Sequence, residues 1–158
     1  MDDRPEPPPR QGGRVGHRRR RRARRTAIEI LFQADLTGRP PSEVLASWRE
    51  AGRHIPPYTE ELVLGVEREL PEIDRWLGET SREWPVHRMA AVDRTILRVA
   101  TRELRAGLPV PVAIDEAVEA ANELSTEESG RFVNGVLARI ARRLKGPERD
   151  EEPRAAHD

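Results

Sequence analysis

Apolar residues recur along the chain at intervals of three and four positions, which is the period of an amphipathic helix. The clearest such stretch precedes Gly107 and Pro109. Its apolar positions are Val92, Ile96, Val99, Ala100 and Leu104. Nothing in the sequence alternates with a period of two over the length of a strand. The pattern predicts an all-α fold, a helical bundle of six to seven helices with short connections.

Proline and glycine residues indicate where the first three helices begin and end. The first helix is predicted over about 19–37 and the second over about 43–51, with Ser42 as N-cap. In the third helix, Pro71 is expected to cause a kink or a break, because proline lacks an amide hydrogen and clashes with the preceding turn. The loop over 52–58 is expected to separate two helical subdomains.

The C-terminal third of the chain predicts two more helices. One runs over 112–124 with Pro111 in its first turn. Proline is tolerated there, because the amide hydrogen that it lacks would have no acceptor within the helix. Either Ser125 or Thr126 is expected to cap the last helix, which ends at Gly146.

Two residues inside the last helix are unusual for that position. Asn134 and Gly135 stand among good helix formers, although glycine costs on the order of 1 kcal/mol relative to alanine in a helix interior. We expect another helix to approach closely at Gly135. We expect Asn134 to be a buried amide that is hydrogen-bonded to a neighbouring loop or carboxylate.

Composition excludes several kinds of chemistry. The 158 residues include no cysteine, which excludes thiol nucleophiles, disulfides and cysteine-based zinc sites. The four histidines never stand at the i, i+4 spacing that places two imidazoles on one metal, so neither a metal nor another cofactor is expected. No stretch approaches the roughly 18 apolar residues of a membrane span, and no secretory signal is recognisable, so we expect a cytoplasmic protein.

Charge is distributed unevenly, although the 28 basic and 28 acidic residues balance. Residues 10–25 contain nine arginines and no acid, whereas 146–158 contain five acids against two arginines. Proline and glycine dominate residues 1–17, which are expected to form a flexible arm because little apolar surface is available for burial. The predicted organisation is this arm, a helical domain over 18–145 and an acidic disordered tail over 146–158.

The densest basic segment is the start of the first helix. Its seven arginines are Arg18, Arg19, Arg20, Arg21, Arg22, Arg24 and Arg25. They repel one another and the positive end of the helix dipole unless an anion binds. Guanidinium binds phosphate bidentately, so the segment is predicted to bind RNA. The alternatives are a basic solubility tail and a lipid-adhesive helix, but a lipid-surface helix needs an apolar face, and only Ala23 interrupts the run.

Reading of bases in single-stranded RNA requires exposed aromatic rings on which the bases stack. Phe32 follows the basic segment on the first helix, and Phe132 lies near the start of the last helix. Each residue is either such a ring or a core residue. The sequence leaves both interpretations open.

An enzymatic alternative rests on Glu116, Glu119 and Glu123, which share one helical face. Carboxylates in that arrangement can hold Mg²⁺ or act as acid and base. No glycine-rich phosphate loop and no serine with a paired base accompanies them, so we interpret them as a solvated face and expect no enzymatic activity.

Three segments together resemble a known family. They are an arginine-rich start running into AIEILFQADL, then AAVDRTILRVATREL, then VPVAIDEAVEAANELSTEESGRFVNGVLARI. In this order and spacing they resemble the NusB family of bacterial transcription antitermination factors over about 18–145. The resemblance implies an all-helical fold of two packed three-helix subdomains. It also implies a non-enzymatic adaptor in the transcription elongation complex, which binds boxA-type single-stranded RNA of ribosomal operons together with NusE, the small ribosomal subunit protein S-ten.

The resemblance also assigns roles to individual residues. The arginines of residues 18–25 match the family's basic RNA-binding start, and Phe32 stands where the family often has a tyrosine that meets RNA. Glu128 and Phe132 match positions near RNA at the start of the last helix. Asp93 matches an acidic position that faces the protein partner.

Two positions depart from the family pattern, and one related role remains open. Asp115 stands where the family usually has asparagine, and Arg102 stands where an aromatic residue commonly precedes Glu103. NusB-like domains also occur at the front of some RNA cytosine methyltransferases. The alternative function is therefore a stand-alone NusB-like RNA or protein interaction module in rRNA processing.

Overall fold

A computed structural model describes residues 14–146 of the chain, and they form an all-helical bundle. The six α-helices of this part are α1 (Arg14–Thr37), α2 (Pro41–Glu50), α3 (Pro57–Thr80), α4 (Ala91–Arg105), α5 (Val110–Leu124) and α6 (Glu127–Lys145). One 3₁₀ turn, Val86–Arg88, lies between α3 and α4, and the described residues contain no strand. The prediction of an all-α fold is confirmed, whereas residues 1–13 of the predicted arm and 147–158 of the predicted tail lie outside the described residues.

The six helices form two groups of three. Helices α1, α2 and α3 all contact one another, as do α4, α5 and α6. Helix α4 also packs against α1 and α3, which joins the groups through one continuous core. The division lies at residues 81–90, not at the predicted loop over 52–58. The reason is that α2 buries Val44 and Leu45 in that core while contacting both α1 and α3, so the loop lies within the first group.

Two predictions about helix limits were wrong, and of the kink or break expected at Pro71 the break does not occur. Helix α1 begins at Arg14, so residues 14–17 of the predicted arm are helical. Helix α3 runs without a break through Pro71, because Ile73 and Leu77 beyond it are fully buried and hold the next turns against the core. Ser42 does not cap α2; its hydroxyl donates to Glu67 at 3.0 Å instead.

The close approach between α5 and α6 occurs one and a half turns before the predicted position. A Cβ on Gly130 would collide with the Asn122 side chain, whereas a Cβ on Gly135 would meet nothing within 4 Å. Asn134 is exposed, not buried. The predictions for Gly135 and Asn134 were therefore wrong, since Gly135 meets no neighbouring helix and Asn134 lies in an open groove between α5 and α6.

Among the described residues, no helix is long and apolar enough to cross a membrane.

At the start of α6, the Thr126 hydroxyl accepts a hydrogen bond from the Ser129 amide at 3.0 Å. Thr126 is thus the cap of the last helix, which settles the choice between it and Ser125.

Candidate nucleic-acid interface

The seven arginines predicted to bind RNA occupy different environments on α1. Arg18, Arg19 and Arg22 are exposed, and Arg20, Arg21 and Arg25 are half-buried. Arg24 is buried, with 4% of its surface exposed. Since a phosphate must reach the guanidinium, exposure divides the segment into accessible and inaccessible cations.

Arg24 belongs to a buried polar cluster that joins α1 to α3, α4 and α5. Its Nε donates to Glu103 at 2.6 Å, and its Nη1 lies 3.5 Å from Glu116. The hydroxyl of Tyr58 donates to the same Glu103 carboxylate, and burial raises the pKa of Glu103. Next to this cluster, the Thr59 hydroxyl donates to the Ala23 carbonyl at 2.7 Å. Arg24 therefore fixes α1 in the bundle and is not an accessible RNA ligand, which corrects its predicted role.

The acidic residues of α5 lie along the arginine segment. Arg21 pairs with Glu119 and, at 3.0 Å, with Glu123, and the hydrogen bond to Glu119 raises the pKa of Arg21. Arg25 pairs with Glu123 at 2.7 Å. Glu116 is 8% exposed and lies 2.9 Å from the His17 imidazole. The interpretation of this face as solvated holds for the exposed Glu119 and Glu123 but not for the buried Glu116, and arginines of α1 lie beside all three.

The second half of α1 is tied to α4 by an arginine that makes several bonds. Arg94 pairs with Asp35 at 2.5 Å and donates to the carbonyls of Val86 and Met89, each at 3.1 Å. Phe32, which is half-buried, lies one helical turn before Asp35 on α1. These bonds hold the turn of α1 that follows Phe32 against the start of α4 and the segment that precedes it.

A cleft of about 890 Å³ lies between the 81–90 segment and the first half of α6. Asp93, Glu128 and Phe132 all line it. Glu128 is exposed, and Phe132 is half-buried and packs against the core. Trp84, with 52% of its surface exposed, forms part of the opposite wall. Three predicted site residues that are distant in sequence therefore meet in one cleft.

Asp93 is the buried polar group of this cleft. One carboxylate oxygen accepts from the Ser129 hydroxyl at 3.1 Å, and the other is buried without a donor among the described residues. Burial raises the pKa of Asp93. A buried acceptor without a donor is unfavourable, so this carboxylate lowers the stability of the fold at the cleft.

Asp93 and Arg94 connect the cleft to α1. Asp93 bonds to Ser129 on α6, while its neighbour Arg94 bonds to Asp35 on α1. Phe32 is ten residues beyond Arg22 on the same helix, which corresponds to about 15 Å. The exposed arginines thus precede Phe32 along α1, and the Arg94–Asp35 bond joins the far end of that helix to the residue next to Asp93. The sequence analysis predicts neither the position of Trp84 in the cleft nor the pairing of the acidic residues of α5 with α1. In the sequence, Trp84 is visible only as an isolated aromatic residue and the acidic residues only as a charge pattern.

Comparison with known proteins shows the family of this chain. The sequence model of the NusB family matches residues 21–142. The chain belongs to the NusB family. It is 45% identical over 136 residues to the transcription antitermination protein NusB of Rubrobacter xylanophilus, covering 85% of this chain and 98% of that protein. The NusB of Kineococcus radiotolerans is 48% identical over 127 residues, covering 77% of this chain and 92% of that protein.

Solved structures of the NusB family share the fold. T. maritima NusB superimposes with a TM-score of 0.68 and 34% identity, covering 78% of this chain and 90% of that chain. A chain from the crystal structure of antitermination factors NusB and NusE in complex with dsRNA gives a TM-score of 0.67 at 30% identity. That match covers 79% of this chain and 97% of the other.

The structure gives a local role to Arg102, the first of the two residues that depart from the family pattern, but not to Asp115. Arg102 pairs with Glu69 on α3 at 2.7 Å and crosses α3 at Gly65, where a Cβ would collide with its side chain. Arg102 therefore replaces an apolar contact between α3 and α4 with an ionic one. Asp115 is exposed on α5, and nothing in the structure explains its departure from asparagine.

Proposed function

We propose that this chain is a transcription antitermination factor that binds boxA-type single-stranded RNA of ribosomal operons together with NusE, within the transcription elongation complex. The observation that carries the proposal is the exposure of Arg18, Arg19 and Arg22 on α1, in a chain whose Glu128 and Phe132 line one cleft. Family membership supports it, as does the similarity to a chain from a complex that contains NusB, NusE and RNA.

Phosphates and bases bind at different parts of this surface. Arg18, Arg19 and Arg22 bind phosphate, because their guanidinium groups are exposed. Phe32 and Phe132 offer ring faces on which bases stack. Arg20, Arg21 and Arg25 extend the phosphate track, whereas Arg24 acts only through the position of α1.

The cleft supplies the remaining contacts. Glu128 is exposed at the start of α6 and accepts a hydrogen bond from an amino group of a base. Asp93 lies in the lining of the cleft, and we assign the cleft around it to the contact with NusE. The exposed ring of Trp84 adds apolar area to the same contact.

Salt dependence of RNA binding tests the phosphate part. If about four arginines meet phosphate, the log-log slope of affinity against salt is near −3, at roughly −0.7 per contact on a single strand. Fluorescence anisotropy with a boxA-type oligonucleotide measures this slope. A slope near zero would remove RNA from the proposed function.

Alanine substitution of the two rings tests the contacts to bases. F32A and F132A are each expected to weaken boxA-type RNA binding by roughly 1 to 3 kcal/mol while leaving the salt slope unchanged. Thermal melts of the same variants serve as the control. If stability falls by the roughly 3 to 5 kcal/mol expected for truncating a core phenylalanine, that ring is structural instead.

The role of NusE is tested by titrating RNA with and without this partner. We expect NusE to tighten RNA binding by the wild-type chain and to bind D93A more weakly, because the variant loses the bond from Ser129 that shapes the lining of the cleft. RNA binding that is indifferent to NusE would favour the alternative, a stand-alone NusB-like module in rRNA processing.

A further inference from the structure

We propose that Glu119 and Glu123 of α5 mask Arg21 and Arg25 from polyanions, and so determine how selectively the arginine segment binds RNA. The inference concerns the selectivity of the surface assigned above and, for its biological meaning, rests on the proposed RNA function. The masking itself is a property of the protein that any polyanion can report.

The geometry matches two acidic residues to two basic ones. Arg21 and Arg25 are one turn apart on α1, and Glu119 and Glu123 are one turn apart on α5. Arg21 bridges both carboxylates, and Arg25 pairs with Glu123 at 2.7 Å. Each guanidinium therefore already holds the kind of ligand, an oxyanion, that a phosphate would provide.

These ion pairs are exchangeable. The side chains of Glu119 and Glu123 are 46% and 52% exposed, so water and salt screen their attraction to the arginines. In contrast, the side chains of Arg24 and Glu103 are 5% and 2% exposed, and their pair cannot open without exposing the core. An incoming phosphate can displace the carboxylates at Arg21 and Arg25 but not at Arg24.

Displacement has a cost that depends on what else the RNA contacts. An RNA that touches only the arginines must break these ion pairs and then lie beside two uncompensated carboxylates, which repel its phosphates. An RNA that also stacks on Phe32 and Phe132 gains free energy elsewhere to offset that cost. The acidic pair therefore lowers the affinity for RNA in general more than it lowers the affinity for cognate RNA.

The test compares E119Q/E123Q with the wild-type chain in two assays, elution from heparin and binding to a single-stranded oligouridine. Glutamine keeps the size of the side chain and removes its charge. We expect later elution from heparin and about three- to thirty-fold tighter oligouridine binding, since two exposed carboxylates no longer compete for the arginines. The salt slope for oligouridine should steepen by about 1.4, because two more arginines meet phosphate.

The matched control is D115N/E127Q, which removes the same charge from neighbouring exposed positions. Neither residue is ion-paired with an arginine in the part of the chain that the structure describes. A second comparison adds R21A/R25A to E119Q/E123Q and should abolish the gain. Equal shifts in E119Q/E123Q and the control, or weaker binding by E119Q/E123Q, would overturn the masking.

The outcome also separates this inference from the proposed function. If only E119Q/E123Q elutes later from heparin while no form of the protein binds RNA, the masking holds and the RNA function is refuted. If the wild-type chain binds boxA-type RNA with the expected slope but E119Q/E123Q behaves like the control, the RNA function holds and the masking is refuted.

Discussion

Two arginines that are two residues apart in the same basic segment should respond to substitution in opposite ways. Arg24 is 4% exposed and is bonded to Glu103, which is 3% exposed, whereas Arg22 is exposed. We expect R24M to destabilise the fold and R22A to weaken RNA binding. Methionine retains much of the apolar stem of Arg24, so R24M isolates the loss of the buried charge.

The magnitude for R24M follows from what the substitution leaves behind. Glu103 loses its 2.6 Å bond to Arg24 and keeps only the Tyr58 hydroxyl as a donor in this cluster. Removal of one partner from a buried ion pair costs roughly 3 to 5 kcal/mol, which corresponds to a fall in Tm of about 10 to 20 °C for a domain of this size. R22A should change stability by at most about 0.5 kcal/mol, as surface substitutions do.

The pH dependence provides a second measure of the same effect. Burial already raises the pKa of Glu103 above its ordinary value, and loss of Arg24 should raise that pKa further. A raised pKa in the folded state means that stability is lost as the pH rises through it and is recovered at lower pH. The difference in Tm between R24M and the wild-type chain should therefore narrow between pH 7.5 and pH 5, as Glu103 takes up a proton.

Urea or thermal melts together with RNA titrations distinguish a structural role of Arg24 from a role as phosphate ligand. Adding E103Q to R24M should recover much of the stability, because a neutral amide no longer leaves a buried charge without a counter-charge. R22A should reduce the salt slope of RNA binding by about 0.7. If R24M melts like the wild-type chain and loses RNA affinity as R22A does, then Arg24 is a phosphate ligand and the structural interpretation fails.

Other substitutions test the helix contacts and the cleft. G135A should raise the free energy of unfolding by about 0.5 to 1 kcal/mol, because alanine favours the helix and meets no obstacle there. G130A should gain less in the same urea melts, since the side chain of Asn122 must first move; an equal gain would contradict the close approach. D93N should raise stability by about 1 kcal/mol at pH 7.5, where a buried carboxylate lacks a donor. That gain should shrink in melts at lower pH, because protonation below the raised pKa of Asp93 relieves the same penalty; a gain independent of pH would exclude this cause.

Helical periodicity predicts the fold well because it records which face of each helix is buried. The apolar face of α4, from Ile96 to Leu104, packs in the core as predicted. Periodicity does not record which helices become neighbours. For that reason the sequence predicts a boundary between subdomains at the loop over 52–58, although the buried face of α2 packs against both α1 and α3.

The candidate site shows a similar limit for charged residues. Local sequence shows seven arginines with no acid among them, and local reasoning therefore predicts repulsion that only an external anion relieves. The relief comes instead from Glu103 and the acidic residues of α5, nearly a hundred residues away in the chain. No property of the segment itself distinguishes Arg24, which faces them, from Arg22, which does not.

Glycine in a helix illustrates the last step from sequence to function. The sequence shows that Gly135 carries a cost in helix stability, but it cannot show what that cost accommodates. In the structure, a Cβ at Gly135 would meet nothing within 4 Å, and the residue lies in the lining of the cleft beside Phe132 and Val136. No contact within the described part of the chain therefore requires glycine there. Because glycine has no side chain, the cleft has more room at this point. NusE, the proposed partner, would enter this space.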